Sequence, residues 1–198
     1  FTLGRVPQLD GLQLDRAGVS VENGRLITGG GQQTVIPHIF VAGDASGPFE
    51  IVHIAIQQGE IAARNAARLI RSSPEPFEET DYRLKLSVVF TKPEDAAVGA
   101  SEKELRAADI PFLTAQYPFN DHGKSLVMGE TDGFVKLIVA ADSREILGAA
   151  VVGPHASDLI HEIAVAMHFR ATAGDLARIP HYHPTLSEIW TYPAEELA

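Results

Sequence analysis

The 198-residue chain has no cysteine. A disulfide framework, a thiolate metal centre and a thiol nucleophile are therefore excluded from this stretch of sequence. Positive charge is also scarce. Sixteen Lys and Arg stand against 26 Asp and Glu, for a formal net charge of -10 and a pI near 5.2. With no basic footprint, neither nucleic acid nor an anionic membrane is an expected partner. No apolar run approaches the roughly 20 residues that span a bilayer. A P-loop, a GxGxxG turn and a GxSxG nucleophile elbow are all missing, as are internal repeats and low-complexity tracts. There is no initiator Met and no basic-then-apolar leader. The opening residues, FTLGRVP, read as the end of a strand, so the chain is expected to be part of a longer protein.

What is present is an ordinary globular mixture, 45% hydrophobic and 21% charged. It suffices for one or two domains with a real core. The absence of cysteine fits a cytoplasmic location.

The stretch richest in chemistry is HYHPTLSEIW, His181 to Trp190. His183 exchanges protons near neutral pH. Glu188, five positions on, is able to fix its tautomer, and Pro184 stiffens the turn between them. Three readings stay open from the residues alone. Glu188 is an acid–base partner of His183, or the third residue of a T-x-x-E capping box, or His181 and His183 are half of a metal site.

Earlier in the chain, Ile39 to Ala42 is a short apolar run that predicts a buried parallel strand. It ends in Gly43-Asp44, where open α/β sheets bind ligands. An Asp that only caps the next turn is the competing reading. Residues 50–71 carry the strongest helical period, with Ile51, Ala55, Ala62, Ala66 and Ile70 expected on the packed face. The free amides at its start are placed to meet a polar ligand group. Residues 72–80, SSPEPFEET, read as an extended acidic linker and mark the expected domain boundary.

Beyond it the pattern becomes α+β. Leu84 to Phe90 and Pro111 to Phe119 predict strands, and Gly133 to Ala140 with Ile146 to Val152 predict a hairpin. Ser101 and Thr172 each open a short helix. Ser157 to Phe169 predicts a longer one, with Ile160, Ile163, Ala164 and Met167 inward and His161 and His168 outward.

Three motifs, in order, carry a family resemblance: LGRVP, TVIPHIFVAGDASGPFEIVHIA and HYHPTLSE. With the GETDGFVKLIV and EILGAAVVG runs, the chain resembles the C-terminal part of the FAD-dependent pyridine nucleotide–disulfide oxidoreductases. It is most similar to the dihydrolipoamide dehydrogenase members. The resemblance covers essentially the whole chain but less than half of such an enzyme.

The resemblance implies residues 1–75 as the end of the NAD(P)-binding domain and the returning segment of the FAD-binding domain, a remnant of α/β nucleotide-binding domains. It implies residues 80–198 as an α+β dimerisation domain with an antiparallel sheet and helices. Asp44 is expected to hold the ribityl chain of FAD. Glu50, Ile51, Val52 and His53 are expected at the helix start facing the flavin, and Gly4 where NAD(P) approaches the backbone. His183 is implied as the acid–base residue and Glu188 as its orienting partner, with no metal. A homodimer, a small-molecule dithiol or disulfide substrate and a larger dehydrogenase complex are the partners implied. The redox cysteines and both GxGxxG turns are expected upstream, so the chain by itself is expected to be inactive.

Two departures stand out. Glu50 and Ile51 replace the Met or Ser and Leu usual in the family, and FNDHGKS, Phe119 to Ser125, replaces N-x-R-A. The alternatives are a mercuric- or glutathione-reductase-like enzyme of the same family and a non-catalytic dimerisation module.

Overall fold

The computed structural model describes residues 4–198. The strand end expected at Phe1 to Leu3 lies outside the described residues. The chain divides into two compact units, one ending at Asp81 and the other spanning Tyr82–Ala198.

The first unit has little regular structure besides one long helix. A short helix α1 (Leu14–Ala17) is followed by a two-stranded antiparallel pair, β1 (Val21–Glu22) and β2 (Arg25–Leu26). The strand expected at Ile39 to Ala42 does not form. Phe40 makes a single antiparallel bridge with Gln33, and the four residues are only half-buried. A continuously apolar run is a strand only when neighbours hydrogen-bond to it, and among the described residues of this unit no parallel neighbour exists. Gly43 takes φ +79 and leads into a 3-10 turn, Gly43–Ala45.

Helix α2 (Val52–Ile70) forms where its period predicts, but its buried stripe differs from the expected one. Ile54, Gln58, Ile61 and Asn65 are buried, while Ile70 is 84% exposed. Two of the four are amides because the helix packs on loops, and loops need their backbone groups paired. Gln58 Oε1 accepts from Gly43 N at 2.7 Å, and its Nε2 donates to Gly47 O at 2.8 Å. Asn65 Nδ2 donates to Gly31 O and Glu78 O, and its Oδ1 accepts from Glu78 N at 2.9 Å. The acidic stretch 72–80 is tied to this unit rather than free in solvent. Glu78 pairs with Arg64 at 2.7 Å and Arg68 at 2.8 Å, and Thr80 N donates to Gly30 O.

The second unit is α+β, as its pattern predicts. Its elements are β3 (Leu86–Val89), β4 (Glu94–Gly99), α3 (Glu102–Ala107), β5 (Phe112–Pro118), α4 (Gly123–Met128), β6 (Phe134–Ala140), β7 (Ile146–Gly153), α5 (Ala156–His168), α6 (Ala173–Arg178) and α7 (Thr191–Leu197). The strands form one antiparallel sheet in the order β3-β4-β7-β6-β5. The β6–β7 hairpin pairs Leu137 with Ala149 and Ile138 with Gly148, then skips Leu147 in a bulge to pair Val139 with Ile146. Gly133, just before β6, takes φ +106, where a Cβ would lie 1.8 Å from Val152 O. Only glycine fits there.

Alternation puts Val135, Leu137 and Val139 of β6 on one face with Val151 of β7, all fully buried. Helix α5 covers β4 and β7 there, and α7 covers β5 and β6. Ile160, Ile163 and Met167 of α5 are inward; His161 and His168 are exposed. Each such apolar side chain contributes about 1.5–3 kcal/mol by leaving water. Trp190 is wholly buried and donates Nε1 to Leu159 O at 3.1 Å, anchoring the C-terminal segment beneath α5. Ser101 completes the capping box expected of it, and Thr172, expected only to open a helix, completes one as well. The start of α5 is capped from a distance: Ser157 donates both N and Oγ to Glu94 of β4, which holds that carboxyl below its usual range.

Candidate functional site

The segment from Pro180 to Trp190 leaves α6 as a loop and re-enters the core through a 3-10 turn, Ser187–Trp190. The turn is buried at Glu188, Ile189 and Trp190, and the two apolar residues pull the carboxylate in beside them. The His183–Pro184 peptide is cis. The His183 side chain is 79% exposed and that of Glu188 only 10%. His183 Nδ1 stands 3.0 Å from Glu188 Oε2 and 3.2 Å from Oε1. A carboxylate only accepts, so Nδ1 carries the proton and the Nε2 lone pair is left toward solvent. The capping box over Thr185 to Glu188 is not formed, since the turn has no side-chain cap bond. Instead Thr191 Oγ1 returns to Glu188 O at 2.7 Å.

His181, the other histidine of the motif, turns the opposite way. Its Nε2 lies 2.6 Å from Glu162 Oε1 on α5, and its Nδ1 lies 3.0 Å from Ile179 O. The two histidines thus engage different carboxylates rather than converging on one point.

A third histidine, which the sequence did not single out, joins the pair. His122, just before α4, is fully buried, with Nε2 3.4 Å from Glu188 Oε1 and Nδ1 2.9 Å from Ser125 Oγ. Burial pushes its ring below the ordinary histidine range, against the pull of Glu188. The signal that pointed here was the unusual FNDHGKS segment.

In the first unit the named residues gather around the start of α2. The 3-10 turn is closed by Ser46 N and Gly47 N returning to Gly43 O, not by Asp44. The Asp44 side chain is 45% exposed and 3.5 Å from Arg5 Nη1. Arg25 bonds the Glu50 carboxylate directly, and Arg5 Nε lies 3.3 Å from it, holding Glu50 below its usual range. Arg25 Nη1 also donates to Asp44 O at 2.9 Å. Ile51 is the N-cap of α2 and supplies no side-chain bond. Val52 and His53 follow on its exposed first turn, and Gly4 takes φ +75 in open space. An open cavity of about 610 Å³ adjoins Asp44, lined by Leu9, Leu12, Val41 and Ala45. A half-exposed carboxylate at the edge of an apolar-walled cavity can accept hydrogen bonds from a ligand's hydroxyls.

Among the described residues no helix is long and apolar enough to cross a membrane. Comparison with known proteins identifies the class. Residues 86–194 match the family described as pyridine nucleotide-disulphide oxidoreductase, dimerisation domain. The chain is 39% identical to dihydrolipoyl dehydrogenase of Chlamydia muridarum over 194 residues, 98% of this chain and 40% of the relative. To that of Bacillus subtilis it is 35% identical over 187 residues, 94% of this chain and 38% of the relative. The crystal structure of LpdA from Mycobacterium tuberculosis superposes with a TM-score of 0.83 at 30% identity, covering all of this chain and 42% of that one. RclA of Escherichia coli, a flavoprotein disulfide reductase, shares the fold at a TM-score of 0.81 and 22% identity, over 98% of this chain and 44% of that one. The chain belongs to the pyridine nucleotide–disulphide oxidoreductase family, and its second unit carries the dimerisation domain. It spans about 40% of the length of the curated relatives it matches.

Proposed function

We propose that this chain supplies the acid–base pair and the dimerisation surface of a flavin-dependent dithiol–disulfide oxidoreductase of dihydrolipoamide dehydrogenase type. The observation that carries the reading is the asymmetry of the pair: an exposed imidazole whose Nδ1 is bound to a buried carboxylate. That arrangement leaves Nε2 as a base facing outward, toward a substrate that approaches from solvent or from a second copy of the chain.

His183 Nε2 takes the proton of a substrate thiol. The thiolate is the reactive form of sulfur, and free thiols are mostly protonated at neutral pH. Glu188 keeps Nδ1–H in place and offsets the imidazolium charge as it forms. When the thiol is regenerated in the reverse direction, the same nitrogen returns the proton. A base so placed contributes roughly 10²–10⁴-fold.

The first unit fits part of an FAD site. The Asp44 carboxylate accepts hydrogen bonds from hydroxyls of the ribityl chain. The start of α2, with Glu50, Ile51, Val52 and His53, would help hold the flavin, and Gly4 would let NAD(P) approach the backbone. A flavin held there, together with the redox cysteine pair expected upstream, would supply a two-electron carrier between the dithiol and NAD(P). The working unit in this reading is a homodimer in the cytoplasm acting on a small-molecule dithiol or disulfide. In this reading residues 1–75 are the end of the NAD(P)-binding domain and the returning segment of the FAD-binding domain, and residues 80–198 are the dimerisation domain. Replacing His183 with Gln in the intact enzyme and timing the two half-reactions separately tests the reading.

A further inference from the structure

We propose that His122 is a positioning residue of the acid–base pair: Ser125 holds it in one tautomer, and its Nε2–H steadies Glu188 against His183. The inference rests on the reading of His183 and Glu188 as that pair.

Glu188 has a side chain only 10% exposed, yet His183 reaches it from one side alone. A buried carboxylate with a single partner is costly and free to turn. His122 meets it on the other side, Nε2 to Oε1, at 3.4 Å. No well-formed hydrogen bond reaches that nitrogen, and its side chain is fully buried. The contact is therefore the one polar outlet the geometry offers the buried Nε2.

The tautomer follows from what surrounds the ring. A neutral imidazole has one donor and one acceptor nitrogen. Were Nδ1 the protonated atom, the Nε2 lone pair would face a carboxylate oxygen, acceptor against acceptor. With the proton on Nε2, Ser125 Oγ–H donates to Nδ1 at 2.9 Å and Nε2–H points to Glu188. The other ionisable groups about this ring are His183, through Glu188, and Tyr192, whose ring meets it edge-on at 6.2 Å. Tyr192 stacks on Tyr117 at 3.9 Å, and the Tyr117 hydroxyl donates to Asp121 Oδ2 at 2.9 Å. A neutral donor suits the task. It keeps the carboxylate charged without adding a second cation that would compete with the imidazolium of His183.

The test is ¹⁵N NMR of the histidine rings in the chain, with His122→Phe, His122→Gln and Ser125→Ala. The expected wild-type spectrum has His122 protonated on Nε2 and neutral His183 protonated on Nδ1. In His122→Phe, the ratio of the Nδ1–H to the Nε2–H form of His183 should fall about two- to tenfold, the range for one lost hydrogen bond. His122→Gln, which keeps a donor at similar reach, should restore most of it. Ser125→Ala should spread His122 over both tautomers, and it carries the test if the Phe variant does not fold. Wild-type His122 protonated on Nδ1, or an unchanged His183 ratio in the folded variants, overturns the inference while leaving the half-reaction test of His183 untouched. Coupled tautomers with half-reactions indifferent to His183 would overturn the acid–base reading, and the proposed role of His122 with it.

Discussion

His183 Nδ1 lies 3.0 Å from Glu188 Oε2, yet one side chain is 79% exposed and the other 10%. The difference arises from the chain itself. Pro180, Tyr182, His183 and Pro184 stay at the surface, while Ile189 and Trp190 enter the core immediately after Glu188. The carboxylate is thereby drawn into the core and the imidazole is left reachable, a division that suits the proposed proton transfer.

Asp44 is the sharpest point of the proposed flavin site. In the intact enzyme, Asp44→Ala should lower the flavin content, read as the ratio of flavin absorbance to protein. Asp44→Asn, which keeps one acceptor oxygen, should lower it less. Unchanged occupancy in the alanine variant would remove Asp44 from the site. The chain on its own should show little saturable flavin binding in a titration.

Asn65 should matter more for stability than its polarity suggests. Asn65→Ala leaves Gly31 O, Glu78 O and Glu78 N without their partner inside the first unit. An orphaned buried group costs about 1–3 kcal/mol; Gly31 O is buried and the two Glu78 groups are part-buried. Chemical denaturation should show a loss of at least about 2 kcal/mol. Asn65→Asp, which sets a buried carboxylate oxygen against the Gly31 and Glu78 carbonyls, should lose at least as much as alanine.

Acid should weaken the second unit through His122. Burial lowers its folded value from the ordinary 6.5, so below about pH 6.5 the unfolded chain takes up a proton that the folded one refuses. The associated stability is complete above that pH and is lost as pH falls through the folded value. In His122→Gln, a plot of unfolding free energy against pH should be flatter between 6.5 and the folded value. Equal slopes in the two proteins would contradict the assignment of a buried neutral ring. Glu104 acts further down. The Lys85 ammonium, with Ser101, holds it at about 2, so its share is present above 4.5 and lost between there and 2.

The dimerisation domain should make a homodimer. Phe90, Val127, Val165 and Phe169 of the second unit are all more than half exposed, apolar side chains that a partner subunit would cover. Sedimentation at micromolar concentration should give twice the 21.3 kDa chain mass. A monomer throughout that range would contradict this.

How far the sequence could be read follows the kind of force involved. The β6–β7 hairpin, α5, the capping box at Ser101 and the helix start at Thr172 were legible because their signals are local. Strand β4, EDAAVG, was not, since alanine and glycine have little β preference and pairing with β7 makes it a strand. Ile39 to Ala42 failed for the opposite reason: its composition favours a strand, but no neighbour pairs along it. The face of α2 was misjudged because Gln58 and Asn65 are buried for their hydrogen bonds, which a hydrophobic period does not register. In the site, HYHPTLSE announced His183 and Glu188, although local pattern left the capping reading open until the 3-10 turn was seen. His122 lies far away in sequence and reaches Glu188 only because the fold brings the residue before α4 beside the 3-10 turn.

The measurement that bears most directly on the account is the pre-steady-state rate of each half-reaction in the intact enzyme, for wild type, Glu188→Gln and His183→Gln. The oxidation of a dithiol should slow in Glu188→Gln and fall about 10²–10⁴-fold in His183→Gln. Flavin reduction by NAD(P)H, which needs no thiol deprotonation, should stay near the wild-type rate in both. Equal dithiol rates in wild type and His183→Gln would contradict the proposed role of the pair.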